Sequence, residues 1–167
     1  MGEGTMQIRL AHADDAGAIH AGLLMIAAHL GSEGKVTSTV EDIRRHGFGG
    51  QPAFTVLIAE IDSDFAGMVL FFDSFSTWRG QRGAYVQDIV VDQRFRGHGI
   101  GVALLRAAAA HVRDAGGAYL RLSVDAANVQ AQKFYTRLGL EWSQEERLHA
   151  AYGESFQALA GQHESGV

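Results

Sequence analysis

The run Val86-Gln87-Asp88-Ile89-Val90-Val91, then Asp92-Gln93-Arg94-Phe95, then Arg96-Gly97-His98-Gly99-Ile100-Gly101 decides the fold. The first segment is rich in β-branched residues and predicts a strand. Past the glycines, residues 100–115 carry Leu104, Leu105, Ala108, Val112 and Ala115 on one stripe, so a long amphipathic helix is predicted, ended by Gly116-Gly117. A strand that enters a helix through glycines brings unpaired N–H groups and the positive end of the helix dipole close to a ligand. That arrangement suits a phosphate, and Arg96 can add a charge-assisted contact. The same glycines could equally make only a tight turn. A dinucleotide-binding G-x-G-x-x-G needs its third Gly one position later, and no Gly-Lys-Ser/Thr is present for a P-loop.

Working outward, residues 6–10 predict a strand. A helix follows from Asp14-Asp15 to His29, with Ile19, Leu23, Ile26 and Leu30 at helical spacing and Gly31 after it. Residues 39–46 predict a second helix, closed by Gly47 and Gly49-Gly50. Residues 54–61, 67–75 and 84–91 read as an antiparallel meander, the first turn being Asp62-Ser63-Asp64. Residues 119–124 predict a strand and 128–138 a helix. Strands are expected around 141–142 and 148–152, and a tail helix over 154–160. The order β-α-α-β-β-β-α-β-α-β predicts a single α/β domain over residues 6–162, with residues 1–5 expected to be a tag or disordered.

Composition narrows the function. The chain has 167 residues, a net charge of −5 and no Cys. The acidic balance argues against a nucleic-acid surface. Zero Cys excludes disulfides, thiolate metal sites and a Cys nucleophile. The eight His show no metal-ligand spacing, so no metal is expected. No apolar run reaches the roughly 18–20 residues of a membrane span, and no signal peptide is read at the N-terminus. A cytoplasmic protein is the expectation. Glycine is abundant, with 21 in the chain.

Arg96-x-x-Gly99-x-Gly101 resembles the acyl-CoA loop of the GNAT acetyltransferase superfamily. Asn128-x-x-Ala131-x-x-Phe134-Tyr135-x-x-Leu138-Gly139, about 30 residues on, resembles its second characteristic segment. His46-Gly47-Phe48-Gly49, Ser76-Thr77-Trp78-Arg79-Gly80, Val86-Gln87-Asp88 and Arg147-Leu148 extend the likeness to the diamine (spermidine/spermine) acetyltransferase branch. The resemblance implies a mixed sheet splayed to hold acetyl-CoA and flanked by helices. It implies cofactor contacts from Ile89, Val90 and Val91, from Arg96, Gly97, His98, Gly99, Ile100, Gly101 and Val102, and from Asn128 and Ala131. Asn128 can also be a plain N-cap. Tyr135 takes the general acid's place, and Asn128, Ala131, Tyr135 and Leu138 share a helix face. The resembling branch implies a homodimer.

The branch places carboxylates around a polycationic acceptor. Here Gln87 stands where the branch has Glu, Ser76 and Leu30 replace other acids, and Gln144 and Glu146 align roughly with an acid-and-Trp pair. Asp88 remains. The expected acceptor is therefore the primary amine of a small molecule other than spermidine or spermine: a monoamine, an amino acid or an aminoacyl compound. Gln87, Asp88 and Trp78 are the expected acceptor contacts, with Phe75 beside Trp78. Gln87 would position the amine or a water. Asp88 is the expected base, although strict strand alternation would turn it away from Gln87; Asp73 and Glu60 are reserves. Without Cys, the acceptor must attack acetyl-CoA directly in a ternary complex. A non-catalytic acyl-CoA-binding module and a protein N-acetyltransferase are the rival readings.

Overall fold

The computed structural model describes residues 4–161, a mixed α/β structure around a five-stranded sheet in the order β1-β2-β3-β4-β5. β1 is Met6–Leu10, β2 Thr55–Ile61, β3 Asp64–Ser76, β4 Gln81–Val91 and β5 Leu120–Leu122. β1 to β4 pair antiparallel and β5 joins β4 parallel. A parallel neighbour needs a crossover, supplied by α3 (Ile100–Asp114). α1 (Ala16–His29) and α2 (Val40–Phe48) link β1 to β2. The chain divides after Asp125 into two compact units; the second holds α4 (Val129–Arg137) and α5 (Gly153–Ala160). Residues 1–3 and 162, part of the expected N-terminal and domain bounds, lie outside the described residues.

Each face of the sheet in the first unit is covered by different helices. Ile19 of α1, Ile43 of α2 and Val56, Ile58, Met68, Leu70 and Val90 of the strands form one core. α1 comes so close that a Cβ on Gly22 would lie 2.8 Å from Met68 Cε. α3 covers the other face with Leu104, Leu105 and Ala108 buried, and Phe71 meets His111 edge-on at 5.6 Å. Full burial of a side chain such as Leu104 is worth roughly 1.5–3 kcal/mol. Arg9 of β1 joins three elements: its Nη1 and Nη2 donate to Asp15 at 2.8 and 2.9 Å, and its Nη2 also donates to Glu60 of β2 at 2.8 Å. That guanidinium holds the Asp15 carboxyl below its ordinary range.

Several expectations are corrected. Leu30 is the C-cap of α1 and lies 41% exposed, because the helix ends at His29. Ala115 is likewise the exposed C-cap of α3, and Ile100 takes its place in the buried stripe. Gly47 lies inside α2, and of the glycines expected to close that helix it is Gly49 that stands at its C-cap. The strands expected around 141–142 and 148–152 are absent: that stretch has no regular structure, with Trp142, Leu148 and Tyr152 at least 80% exposed. A strand needs a ladder partner, and the described residues of the second unit contain no strand to supply one.

Candidate active site

β4 positions the site. In its pairing with β3, Leu70 faces Asp88 but Phe71 faces Val86, which leaves Gln87 without a register partner. This is a β-bulge, two residues against one. It resets the alternation. Val86 shares the α3 face with Phe71, whereas Asp88 shares the α1 face with Leu70 and Val90. Gln87 is exposed at the bulge. The unbroken alternation assumed for Gln87 and Asp88 therefore does not hold at this point.

The opposite edge of β4 opens at the same place. The ladder to β5 runs only from Ala84–Leu120 through Tyr85–Arg121 to Val86–Leu122. Beyond it, residues 87–91 have no ladder partner on that side. The N–H of Asp92 donates to Ala66 O at 2.8 Å, toward β3. Antiparallel alternation then turns the Val90 amide toward β3, and those of Ile89 and Val91 toward the open edge. Consistently, a Cβ on Gly67 of β3 would meet Val90 O at 2.6 Å, while Val91 O accepts from Arg96 Nε at 3.4 Å. Of the three backbone donors expected from the sequence, Val90 is the one spent within the sheet.

The loop after β4 is braced by its own side chains. Asp92, 7% exposed, accepts at Oδ1 from the Arg94 N–H at 2.9 Å and at Oδ2 from Arg94 Nη2 at 3.0 Å. The Arg94 charge holds its carboxyl below the ordinary range. His98 Nδ1 lies 3.1 Å from both the Phe95 and Arg96 carbonyl oxygens, so Nδ1 carries the proton. Gly97 and Gly99 have φ of 83° and 74°, a region other residues rarely enter. Gly99 caps α3, and the first helical bond runs from Ala103 N–H to Gly99 O. The N–H groups of Ile100, Gly101 and Val102 precede it without intrahelical acceptors. These donors stand at the N-terminal end of a 15-residue helix, an arrangement that suits an anion.

Asp88 is half-buried, and desolvation pushes its carboxyl up to about 6. Among the described residues it accepts no hydrogen bond. A carboxylate so placed can accept a proton near neutral pH. The reserve bases are not beside it: Glu60 is held by Arg9, and Asp73 lies on the α3 face opposite Ala84. Trp78 is not brought to Asp88 either. It is 99% exposed at the tip of the β3–β4 hairpin, six rungs beyond Leu70, or roughly 20 Å at about 3.3 Å per residue. Phe75 pairs with Arg82 on the sheet face opposite Asp88.

In the second unit, Asn128 caps α4 by accepting from the Ala131 N–H at 3.1 Å. The capping role foreseen for it is thus present. Asn128, Ala131, Tyr135 and Leu138 are all half-buried along one face of the helix. Burial raises the Tyr135 phenol above its ordinary value, which keeps it protonated. Among the described residues, no group of three His, Cys, Asp or Glu side chains could hold a metal ion. Sequence reasoning missed the role of Asp92, although Asp two residues before Arg at a strand end is a legible turn cap. It also missed Phe72 and Tyr85, which meet only through the register.

Residues 26–140 match the model of the Acetyltransferase (GNAT) family. Thialysine N-epsilon-acetyltransferase of Bos taurus is 33% identical over 167 residues, covering 93% of this chain and 98% of that protein. L-ornithine N5-acetyltransferase of Arabidopsis thaliana is 30% identical over 125 residues, covering 75% of this chain and 52% of that protein. Among solved structures, an integron cassette protein from V. cholerae superposes with a TM-score of 0.79 at 17% identity, covering 94% of this chain and 98% of that one.

Proposed function

The chain belongs to the Acetyltransferase (GNAT) family, and from that premise we propose that it transfers acetyl from acetyl-CoA to the primary amine of a small molecule by direct attack in a ternary complex. One observation carries the reading. The β4–β5 ladder stops at Val86 and leaves the Ile89 and Val91 amides on an open edge, and the bulge at the same place sets Asp88 on the α1 face of that stretch, which runs on into the glycine loop. In this reading Arg96 and the backbone of residues 97–102 hold the pyrophosphate of acetyl-CoA, with Asn128 and Ala131 as further cofactor contacts.

The acceptor arrives as an ammonium, and Asp88 takes its proton, directly or through a water positioned by Gln87. The free amine attacks the thioester carbonyl and a C–N bond forms. The oxygen gains charge where the open-edge amides donate. The added nitrogen gives up its second proton to solvent as the C–S bond breaks, and Tyr135, in the role its family likeness gives it, protonates the departing thiolate and regains its proton from solvent. A thiolate of pKa near 8.5 is a fair leaving group, so the acid need only assist.

The acceptor carries one ammonium at the reacting end. Asp88 is the clear survivor of the carboxylates that the polyamine branch uses. Two relatives are named for acetylating thialysine and L-ornithine, so an amino acid side-chain amine leads the panel. The protein is further proposed to be a cytoplasmic homodimer, as the branch likeness implies; sedimentation velocity tests the assembly.

The test is thiol release from acetyl-CoA with lysine analogues, monoamines, polyamines and aminoglycosides. We expect turnover with lysine analogues and monoamines, which carry one ammonium at the reacting end, and its loss in Tyr135→Phe. Spermidine turnover at micromolar KM would contradict the acceptor class. Gln87 in place of Glu favours one second reading, an acyl-CoA-binding module: tight CoA binding with no turnover on any amine would establish it.

A further inference from the structure

α1 covers its face of the sheet as far as the Met68–Val90 rung, where Gly22 packs, and the core on that face ends with Leu70. Asp88 sits opposite Leu70 at that margin. The next residues outward on the same face are Phe72 and Tyr85, which pair directly across β3 and β4. Their rings stack at 5.3 Å with 28° between planes. Phe72 remains 36% exposed. Tyr85 is fixed in orientation by its hydroxyl, which donates to Ser123 Oγ at 2.6 Å. In an unbroken strand, residues three apart point to opposite faces. The bulge at Gln87 is what brings Tyr85 and Asp88 onto one side.

An exposed aromatic stack next to a half-buried carboxylate offers two complementary contacts. The rings cover hydrocarbon; the carboxylate takes the ammonium. We propose that the Phe72–Tyr85 stack is the platform for the acceptor's stem, so that the enzyme selects an ammonium on an unbranched hydrocarbon chain over a chain with a second ammonium at mid-length. This inference rests on the acetyltransferase reading above and specifies its acceptor. Phe72 is then the specificity-determining residue.

The experiment measures thiol release with saturating acetyl-CoA across unbranched alkylamines from ethylamine to hexylamine, with N-ethyl-1,3-propanediamine as the chain of hexylamine length that carries a second ammonium at mid-length. In the unsubstituted enzyme kcat/KM rises about two- to fourfold per methylene, as expected for a CH2 partly or fully covered. In Phe72→Ala that rise flattens. In Phe72→Glu the ratio of N-ethyl-1,3-propanediamine to hexylamine activity increases at least tenfold. Slope and ratio are each taken within one variant, so a reduced fraction of folded enzyme cancels. An unchanged slope in Phe72→Ala, or an unchanged ratio in Phe72→Glu, overturns the platform while leaving the acetyltransferase reading in place. No thiol release with any amine in the unsubstituted enzyme overturns both.

Discussion

The two halves of β4 are made of similar residues and do different work. From Ala84 to Val86 the strand is laddered on both sides, to β3 and to β5. Ala84 and Val86 there are 0% and 3% exposed. From Gln87 to Val91 it keeps only β3, and the freed edge lies next to the one carboxylate on the strand. A sheet interior pairs its backbone groups because unpaired buried ones are costly. In the proposed reading the open-edge amides of Ile89 and Val91, beside a braced glycine loop, receive acceptors from the cofactor. On that reading the difference separates holding the fold from binding and chemistry within a single strand.

Substitutions can test that separation. The largest effect is expected at Asp88. Asp88→Asn should lower kcat/KM by roughly 10²–10⁴, the usual worth of a general base. In the unsubstituted enzyme the rate should fall as pH drops through about 6, where Asp88 protonates; an acidic limb that survives in Asp88→Asn would clear Asp88 of the role. Next, Gly99→Val forces a β-branched residue to φ 74° in the cradle. It should raise KM for acetyl-CoA about tenfold, from a left-handed cost of roughly 1–2 kcal/mol, with little change in acceptor KM. In the closed half, Val86→Ala should behave oppositely. Urea unfolding should show a loss of about 1–2 kcal/mol, and acceptor and cofactor KM should stay within twofold.

The smallest effects are in stability against pH. Asp88 has a raised pKa, so the fold loses stability as pH climbs from about 4 to about 6. Asp88→Asn should therefore melt higher than the unsubstituted protein at pH 7.5 and equally at pH 4. Asp15 has a lowered pKa, so its contribution exists above about pH 4 and is lost as pH falls below it. Asp15→Asn should cost stability at pH 7.5 and progressively less below pH 4. Thermal melts at the two pH values would refute the contrast if both variants shifted in the same direction.

Much of this contrast was legible in the sequence, for local reasons. The glycine loop, the amphipathic stripe of α3 and the Asp62-Ser63 turn each depend on neighbouring residues. That turn closes with φ of 50° and 71°, as a two-residue hairpin requires. Asn128 was readable as a cap because its helix begins beside it. The bulge at Gln87 was not readable, since a period-two reading assumes no residue is skipped, and so neither was the placing of Tyr85 and Asp88 on one face. Leu30 and Ala115 fit their stripes but lie just past the helix ends, where a shift of one residue decides burial. The strands expected near 141 and 148 had the right residue types, but a strand exists only with a partner, and no local signal supplies one.

The bracing of the loop has a kinetic consequence. Asp92, Arg94 and His98 brace residues 92–98 through contacts inside the loop itself, and these contacts need no guest to form. An anion meeting such a cradle has little chain left to order and forfeits little conformational entropy on docking. Cofactor capture should then be limited by encounter: the association rate constant would vary inversely with solvent viscosity and show no slow isomerisation phase.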